Sequence, residues 1–175
     1  VGSEMCIRDS LRTIQSGGQT VKSSTYDSIE WANPPARFEG GLGNFSGMIA
    51  TGAAIDYLSK IDMDAVHEHE IRLNTIMTNG IKDLPGIEII GPLDANKRGC
   101  ICSILMDELP AHDIALLLDE AAGVMVRSGQ HCVHSWFNSR GHINGSLRAS
   151  AYLYNTEEEA RLFAEIFTEA VHAFS

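Results

Sequence analysis

The chain has 175 residues, 44% of them apolar and 21% charged, with a net charge of −10 at pH 7. That length suits one domain, or one domain with a piece of another, and that apolar share is enough for a real core, which argues against a disordered chain. The acidity argues against nucleic acid and anionic membrane as partners, and no apolar run is long enough to span a bilayer. The start, Val1 to Ser10, lacks the basic region and apolar stretch of a secretory signal. It has no periodicity and no turn logic, and it resembles translated adaptor sequence, so residues 1–10 are set apart from the fold, Cys6 with them. The four cysteines, Cys6, Cys100, Cys102 and Cys132, are too few for a dense disulfide framework. Free thiols in a reducing cytoplasm are the better reading.

Residues 11–45 are punctuated by Gly17-Gly18, Pro34-Pro35, Gly40-Gly41 and Gly43, and read as an unstructured tail of something larger. From Ser46 an Ala- and Gly-rich stretch with Met48, Ile49, Ile55 and Leu58 predicts a closely packed helix. A longer helix is expected from Asp64 to Leu84, with Asp62 and Asp64 at the positive end of its dipole and Pro85-Gly86 as its stop. Strands are expected at Ile87–Ile90 and Cys100–Leu105, then a helix from Ala111 ending on Gly123. Val124–Arg127 reads as a strand, Ser128–Ser146 as a long irregular loop, and Leu147–Tyr154 as a strand with Arg148, Ser150, Tyr152 and Tyr154 on one face. Thr156 with Glu159 forms a capping box that opens the last helix, to about Phe174. The layout of residues 46–175 is an α+β layer, helices on one side of a small mixed or antiparallel sheet.

The run Arg127-Ser128-Gly129-Gln130-His131-Cys132-Val133-His134 concentrates the chemistry. A thiol is a nucleophile only as its thiolate, and cationic neighbours such as His131, His134 and Arg127 favour that form. The bland alternative, a half-buried loop cysteine, stays open on spacing alone. Zinc ligation by His131, Cys132 and His134 fits poorly, because the three sit too close together for a tetrahedral set, and no metal is expected. Arg148, between small residues on a strand, suits two-pronged capture of a carboxylate. Cys100 and Cys102 share one face of their strand and read as core thiols. His67-Glu68-His69-Glu70 lacks the spacing of a metal motif and reads as a solvated helix face, and Glu157-Glu158-Glu159 as helix-start electrostatics.

The order Arg127-x-Gly129-x-His131-Cys132, then Arg148-Ala149-Ser150, then Tyr154-Asn155-Thr156, resembles the C-terminal portion of SufS-type cysteine desulfurases. These are class V aminotransferases of fold type I among pyridoxal-phosphate enzymes. Pro35-Ala36-Arg37-Phe38-Glu39-Gly40-Gly41 is similar to the family's junction between large and small domains, and Gly52–Leu58 to the helix after it. The resemblance implies that residues 11–45 are the tail of the cofactor domain and the junction, and that 46–175 are the small domain. It implies that Cys132 takes sulfur from L-cysteine, or selenium from L-selenocysteine, and passes it to an acceptor protein for iron–sulfur cluster assembly. His131 would tune the thiol, Arg148 would bind the substrate carboxylate, and Arg127 would support the loop and the substrate end. The full-length enzyme would be a cytoplasmic homodimer carrying pyridoxal 5'-phosphate.

Three departures from the family pattern stand out. The cofactor lysine is absent: Lys22, Lys60, Lys82 and Lys97 lie outside its Ser-x-His context. Without it the chain alone is expected to be inactive. Gly41-Leu42 replaces the family's Gly-Thr, whose threonine reaches a phosphate across the dimer, so Gly41 and Gly43 are only weak cofactor contacts. Gly17-Gly18-Gln19 stands for Gly-Gly-Glu. The competing readings are a selenocysteine lyase or another class V relative, and a free-standing module that carries persulfide on Cys132. In a purified fragment, Phe38, Phe45, Met48 and Ile49 are expected to be exposed.

Overall fold

The computed structural model describes residues 10–106 and 109–174. The chain divides into two compact units, Val1–Lys60 and Ile61–Ser175. The expectations for residues 1–9 and for Cys6 lie outside the described residues.

In the first unit the stretch expected to be unstructured holds a hairpin. Strand β1 (Val21–Ser24) pairs antiparallel with β2 (Ile29–Trp31). The hydroxyls of Thr25 and Ser28, 2.9 Å apart, tie its turn together. Ahead of it Thr20 is fully buried, donating its hydroxyl to the Gly17 carbonyl at 2.7 Å. The β-branched residues are too few for a periodic signal, and local side-chain bonds do the work instead. Helix α1 (Phe45–Leu58) is capped by Asn44, whose side chain accepts from the Gly47 N–H at 2.9 Å. The close packing expected of it is not found: none of its residues is buried, and its apolar side chains are spread around the helix rather than gathered on one face. Phe45, Met48 and Ile49 are exposed as expected, whereas Phe38 is half-buried.

The second unit is the α+β layer. Its helices are α2 (Met63–Ile81), α3 (Ala111–Ala122), the short α4 (His134–Ser139) and α5 (Glu157–Phe174). Its strands β3 (Ile87–Ile89), β4 (Ile101–Met106), β5 (Arg127–Gly129) and β6 (Ser146–Ser150) form one antiparallel sheet, in the order β3-β4-β6-β5. Helix α2 begins on Asp62, whose carboxylate accepts from Asp64 N–H at 3.0 Å, and it ends before the Pro85-Gly86 stop. Helix α3 ends on Gly123 in the left-handed region (φ 65°). Both halves of the capping box at α5 form: Thr156 N–H donates to Glu159 Oε2 at 2.9 Å, and Glu159 N–H to Thr156 Oγ1 at 3.2 Å.

The core lies on one face of this sheet, under α2, α3 and α5. Register sets Ile104 opposite Leu147 and Cys102 opposite Ala149, and all four are buried. Leu73, Met77, Ile81, Phe163 and Phe167 cover them. The helices α2 and α5 approach closely at Gly80, where a Cβ would stand 2.5 Å from that of Ala164. Alternation along β6 turns Arg148 away from this core, opposite Ser103 on β4 and Arg127 on β5. Two strand expectations shift: β5 starts at Arg127 rather than Val124, and β6 stops at Ser150, which leaves Tyr152 and Tyr154 off the strand. The chain turns there to make the α5 cap, Asn155 Oδ1 accepting from Tyr152 N–H at 3.0 Å. Among the described residues no helix is long and apolar enough to cross a membrane.

Candidate active site

The pairing of β5 with β6 brings the sequence candidates together. Arg127 lies opposite Arg148, and Gly129 opposite Ser146. The chain then reverses at Gln130–Val133, where Val133 N–H donates to the Gln130 carbonyl at 2.8 Å. The two central residues are His131 (φ 49°) and Cys132 (φ 63°). Positive φ at both centres is the mark of a type I′ turn, and non-glycine residues adopt it only at a cost the surroundings must cover. The strain therefore sits on the two residues named from the sequence as histidine and thiol. Cys132 is exposed on this turn.

The segment beyond the turn is not the irregular loop expected for Ser128–Ser146. It contains α4 and is bound to itself. Gln130 donates from Nε2 to Asn138 Oδ1 at 3.0 Å and to the Ile143 carbonyl at 2.8 Å, closing the two ends of the segment. Phe137 is buried and meets Trp136 edge-on at 5.0 Å, and the Arg140 guanidinium lies 4.3 Å over the Trp136 ring. Gly145 returns the chain to β6 with φ 75°, and a Cβ there would stand 2.3 Å from the Gly129 carbonyl carbon. Only glycine allows that approach. These tertiary bonds are invisible to periodicity.

His131 is half-buried, with its Nε2 3.0 Å from Ser146 Oγ. Its pKa is lowered, first by burial and then by the Arg148 cation; a hydrogen bond to the Ser146 backbone works the other way, and Arg127 adds to the lowering. Two side-chain atoms here are buried with no hydrogen-bond partner, His131 Nδ1 and Arg148 Nε. A buried donor without an acceptor is costly, so an unpaired guanidinium N–H marks a place for an anionic ligand. Arg127 is exposed beside it. Ser146 and Gln130 were missed in the sequence. Ser146 carried one signal, its place two residues before Arg148 on the same strand face.

Elsewhere the readings divide. Cys100 and Cys102 are buried, as expected; burial pushes the Cys100 thiol up to about 11 and raises that of Cys102. His67 is exposed, but His69 does not belong to a solvated face: its Nε2 donates to the Asn155 carbonyl at 2.8 Å, tying α2 to the start of α5. Among the described residues no group of three His, Cys, Asp or Glu is placed to hold a metal ion. A cavity of about 280 Å³ opens on the core side, lined by Val126, Ala151, Glu159 and Phe163 among others, with no site residue in its wall. Of the lysines in this unit, Lys82 caps α2 and Lys97 pairs with Asp94 at 3.8 Å. The residues gathered around Cys132 therefore do not fit as an attachment for pyridoxal phosphate; they fit the carboxylate of a small ligand. Gly41, the weak cofactor candidate, has positive φ (91°), and Leu42 after it is exposed, with no side-chain donor to offer a phosphate.

A small antiparallel sheet covered on one face by helices is the architecture the sequence anticipated; the tight cysteine turn at the end of its edge strand is not. The chain belongs to the aminotransferase class-V family, which residues 5–163 match. It is 33% identical to a probable cysteine desulfurase of Chlamydia muridarum over 166 residues, 95% of this chain and 41% of that protein. It is 35% identical to a probable cysteine desulfurase of Xylella fastidiosa over 147 residues, 84% of this chain and 34% of the relative. Its fold matches the apo structure of a cysteine desulfurase from Thermococcus onnurineus with a TM-score of 0.84 at 32% identity, covering 95% of this chain and 41% of that one. The chain thus spans 34% to 41% of the length of these relatives.

Proposed function

We propose that this chain is the C-terminal part of a SufS-type cysteine desulfurase, and that Cys132 is its sulfur-accepting nucleophile. One observation carries the reading: the strained, exposed His131–Cys132 turn sits directly after a strand that sets Arg127 opposite Arg148. Arg148, with its unpaired Nε–H, holds the carboxylate of L-cysteine. Arg127 steadies that end of the substrate, and His131, kept neutral by its surroundings, serves the thiol.

The thiolate of Cys132 forms a new S–S bond to the substrate sulfur while the substrate C–S bond breaks. Its electron pair stays on carbon and takes up a proton. In sum, cysteine and an enzyme thiol give alanine and an enzyme persulfide. The chemistry that pyridoxal phosphate supplies when bound is an electron sink at the substrate, and its lysine belongs to the part of the enzyme outside these 175 residues. This chain alone accordingly turns nothing over. In the whole protein residues 11–45 end the cofactor domain and 46–175 form the small domain. That protein is a cytoplasmic homodimer which passes sulfur to an acceptor protein for iron–sulfur cluster assembly, and L-selenocysteine is its alternative substrate.

The test is to extend the reading frame at its genomic locus, produce the whole protein and compare it with its Cys132→Ala variant. Alanine release from L-cysteine and a persulfide mass on the Cys132 peptide are expected in the parent and lost in the variant. Alanine release undiminished in Cys132→Ala refutes the assignment. Persulfide transfer to Cys132 from a separate protein, with no lysine-bearing domain upstream, favours the carrier reading instead.

A further inference from the structure

Cys132 is held in place by its neighbours. Among the described residues its side chain makes no hydrogen bond, yet its φ is +63° and that of His131 before it +49°. L-residues leave that region when nothing keeps them there. The bond across the turn, from Val133 N–H to the Gln130 carbonyl at 2.8 Å, does not suffice, because turns of ordinary φ make the same bond. His131 has one anchor, its Nε2 lying 3.0 Å from Ser146 Oγ. On the other side of Cys132, the Val133 carbonyl accepts from Trp136 N–H at 3.1 Å and Phe137 N–H at 3.3 Å, so Val133 goes where α4 goes. Gln130 decides where α4 goes. Its Nε2 donates to Asn138 Oδ1 at 3.0 Å, within α4, and to the Ile143 carbonyl at 2.8 Å, beyond it. An amide nitrogen has two hydrogens, and both are used. The residue at the first corner of the turn thus grips, through its side chain, the helix that starts after the last corner.

We propose that Gln130 is a positioning residue for Cys132: its side-chain amide ties α4 back to the start of the turn and thereby keeps the thiol in its left-handed place. The chain from Gln130 to Asn138 is closed by two paths, one through the backbone and one through the side chain. His131 and Cys132 lie on the first path, and the second fixes its ends. The geometric half of this inference stands by itself; that the thiol reacts from this place rests on the desulfurase reading. A glutamine that merely staples the segment 134–143 would leave the turn unchanged when its bonds are removed.

The experiment uses the chain as it is. Gln130→Glu keeps the shape and removes both donors. The Asn138 amide can turn over to meet a carboxylate, but the Ile143 carbonyl only accepts. Two readouts separate the roles. One is hydrogen exchange at the Val133 amide, which bonds the Gln130 backbone and not its side chain. The other is the amide–alpha proton coupling of His131 and Cys132, which reports φ. In Gln130→Glu the Val133 amide should exchange about fivefold faster or more, the scale of one lost hydrogen bond, and both couplings should leave their parent values. The amides of β4 and β6 should keep their protection, which shows the fold intact. Faster exchange at His142 and Gly145 with Val133 and both couplings unchanged overturns the proposal. If Gln130→Glu does not fold, Asn138→Ala decides: it removes one of the two bonds from the far end, so the same changes should appear in smaller measure, and their absence overturns the proposal. In the whole protein, Gln130→Glu should lower kcat for alanine release about fivefold or more with KM little changed, because Arg127 and Arg148 are untouched. An unaltered kcat in an active protein overturns the catalytic use of the position. A parent without alanine release overturns the desulfurase reading and leaves the turn measurement to stand or fall by itself.

Discussion

Gly145→Ala should loosen the cysteine turn more than any other single methyl group added there. The position has φ +75°, and the added Cβ would lie 2.3 Å from the Gly129 carbonyl carbon, 2.4 Å from its oxygen and 2.7 Å from the Gln130 nitrogen. All three are backbone atoms just ahead of His131 and Cys132, so no side chain can swing away to make room. An L-residue at positive φ costs about 1–2 kcal/mol, and forcing atoms into filled space costs about 1–3 kcal/mol more. The sum is about 2–5 kcal/mol, which for a unit of this size lowers Tm by roughly 10–30 °C. Gly86 supplies the control, because its φ is +70° and a Cβ there meets nothing within 4 Å. Gly86→Ala should carry the backbone cost alone, about 1–2 kcal/mol. The assay is thermal unfolding by circular dichroism of the parent and the two variants, with the alkylation rate of Cys132 as a second readout of turn geometry. A Gly145→Ala chain that melts no lower than Gly86→Ala would refute the claim that backbone contact between Gly129 and Gly145 shapes the site.

Alkylation with iodoacetamide under native conditions, mapped by peptide, should label Cys132 and leave Cys100 and Cys102 untouched until the protein is unfolded, because only Cys132 is exposed among the three; native labelling of Cys102 would contradict the packing of β4. His131 should titrate below the ordinary histidine range, and Arg148→Ala should move it upward, since the removed cation opposes its protonation after burial does; a proton NMR titration that finds no movement excludes Arg148 as a neighbour. Thr156→Ala should destabilise the chain by about 1 kcal/mol, the worth of a helix N-cap, read from urea unfolding. Glu159 has its pKa lowered by the Thr156 N–H and then by Asn155. Its contribution is therefore present above the unfolded carboxylate range and fades as pH falls through the folded value. Stability that rises on acidification through that window in the parent, but not in Glu159→Gln, would reverse the sign.

Several features were readable from the chain because they are local. The capping box of Thr156 and Glu159, the Gly123 helix end and the Asp62 start each depend on residues within four positions of one another, so spacing alone predicts them. That Cys100 and Cys102 share the buried face of their strand follows from alternation alone. The candidates Cys132, His131, Arg127 and Arg148 were nameable for the same reason, as residue types at fixed order.

Tertiary structure decided the rest. That Arg127 faces Arg148 depends on β5 joining β6 rather than β4, which neither strand encodes by itself. The segment after Cys132 is ordered by Gln130 reaching eight and thirteen residues ahead, so it looked like loose loop in the sequence. The left-handed turn at His131 and Cys132 runs against what those residues prefer alone, and only the surrounding packing can impose it. The helix Phe45–Leu58 shows the converse: its composition predicts burial, but burial needs neighbours, and helix propensity without them gives a helix whose apolar side chains stay open all round. Sequence thus determined which groups are the candidates for chemistry, through residue type and order. Long-range strand pairing and backbone contact determined where those groups stand, because a geometry shared by residues far apart in the chain has no period to read.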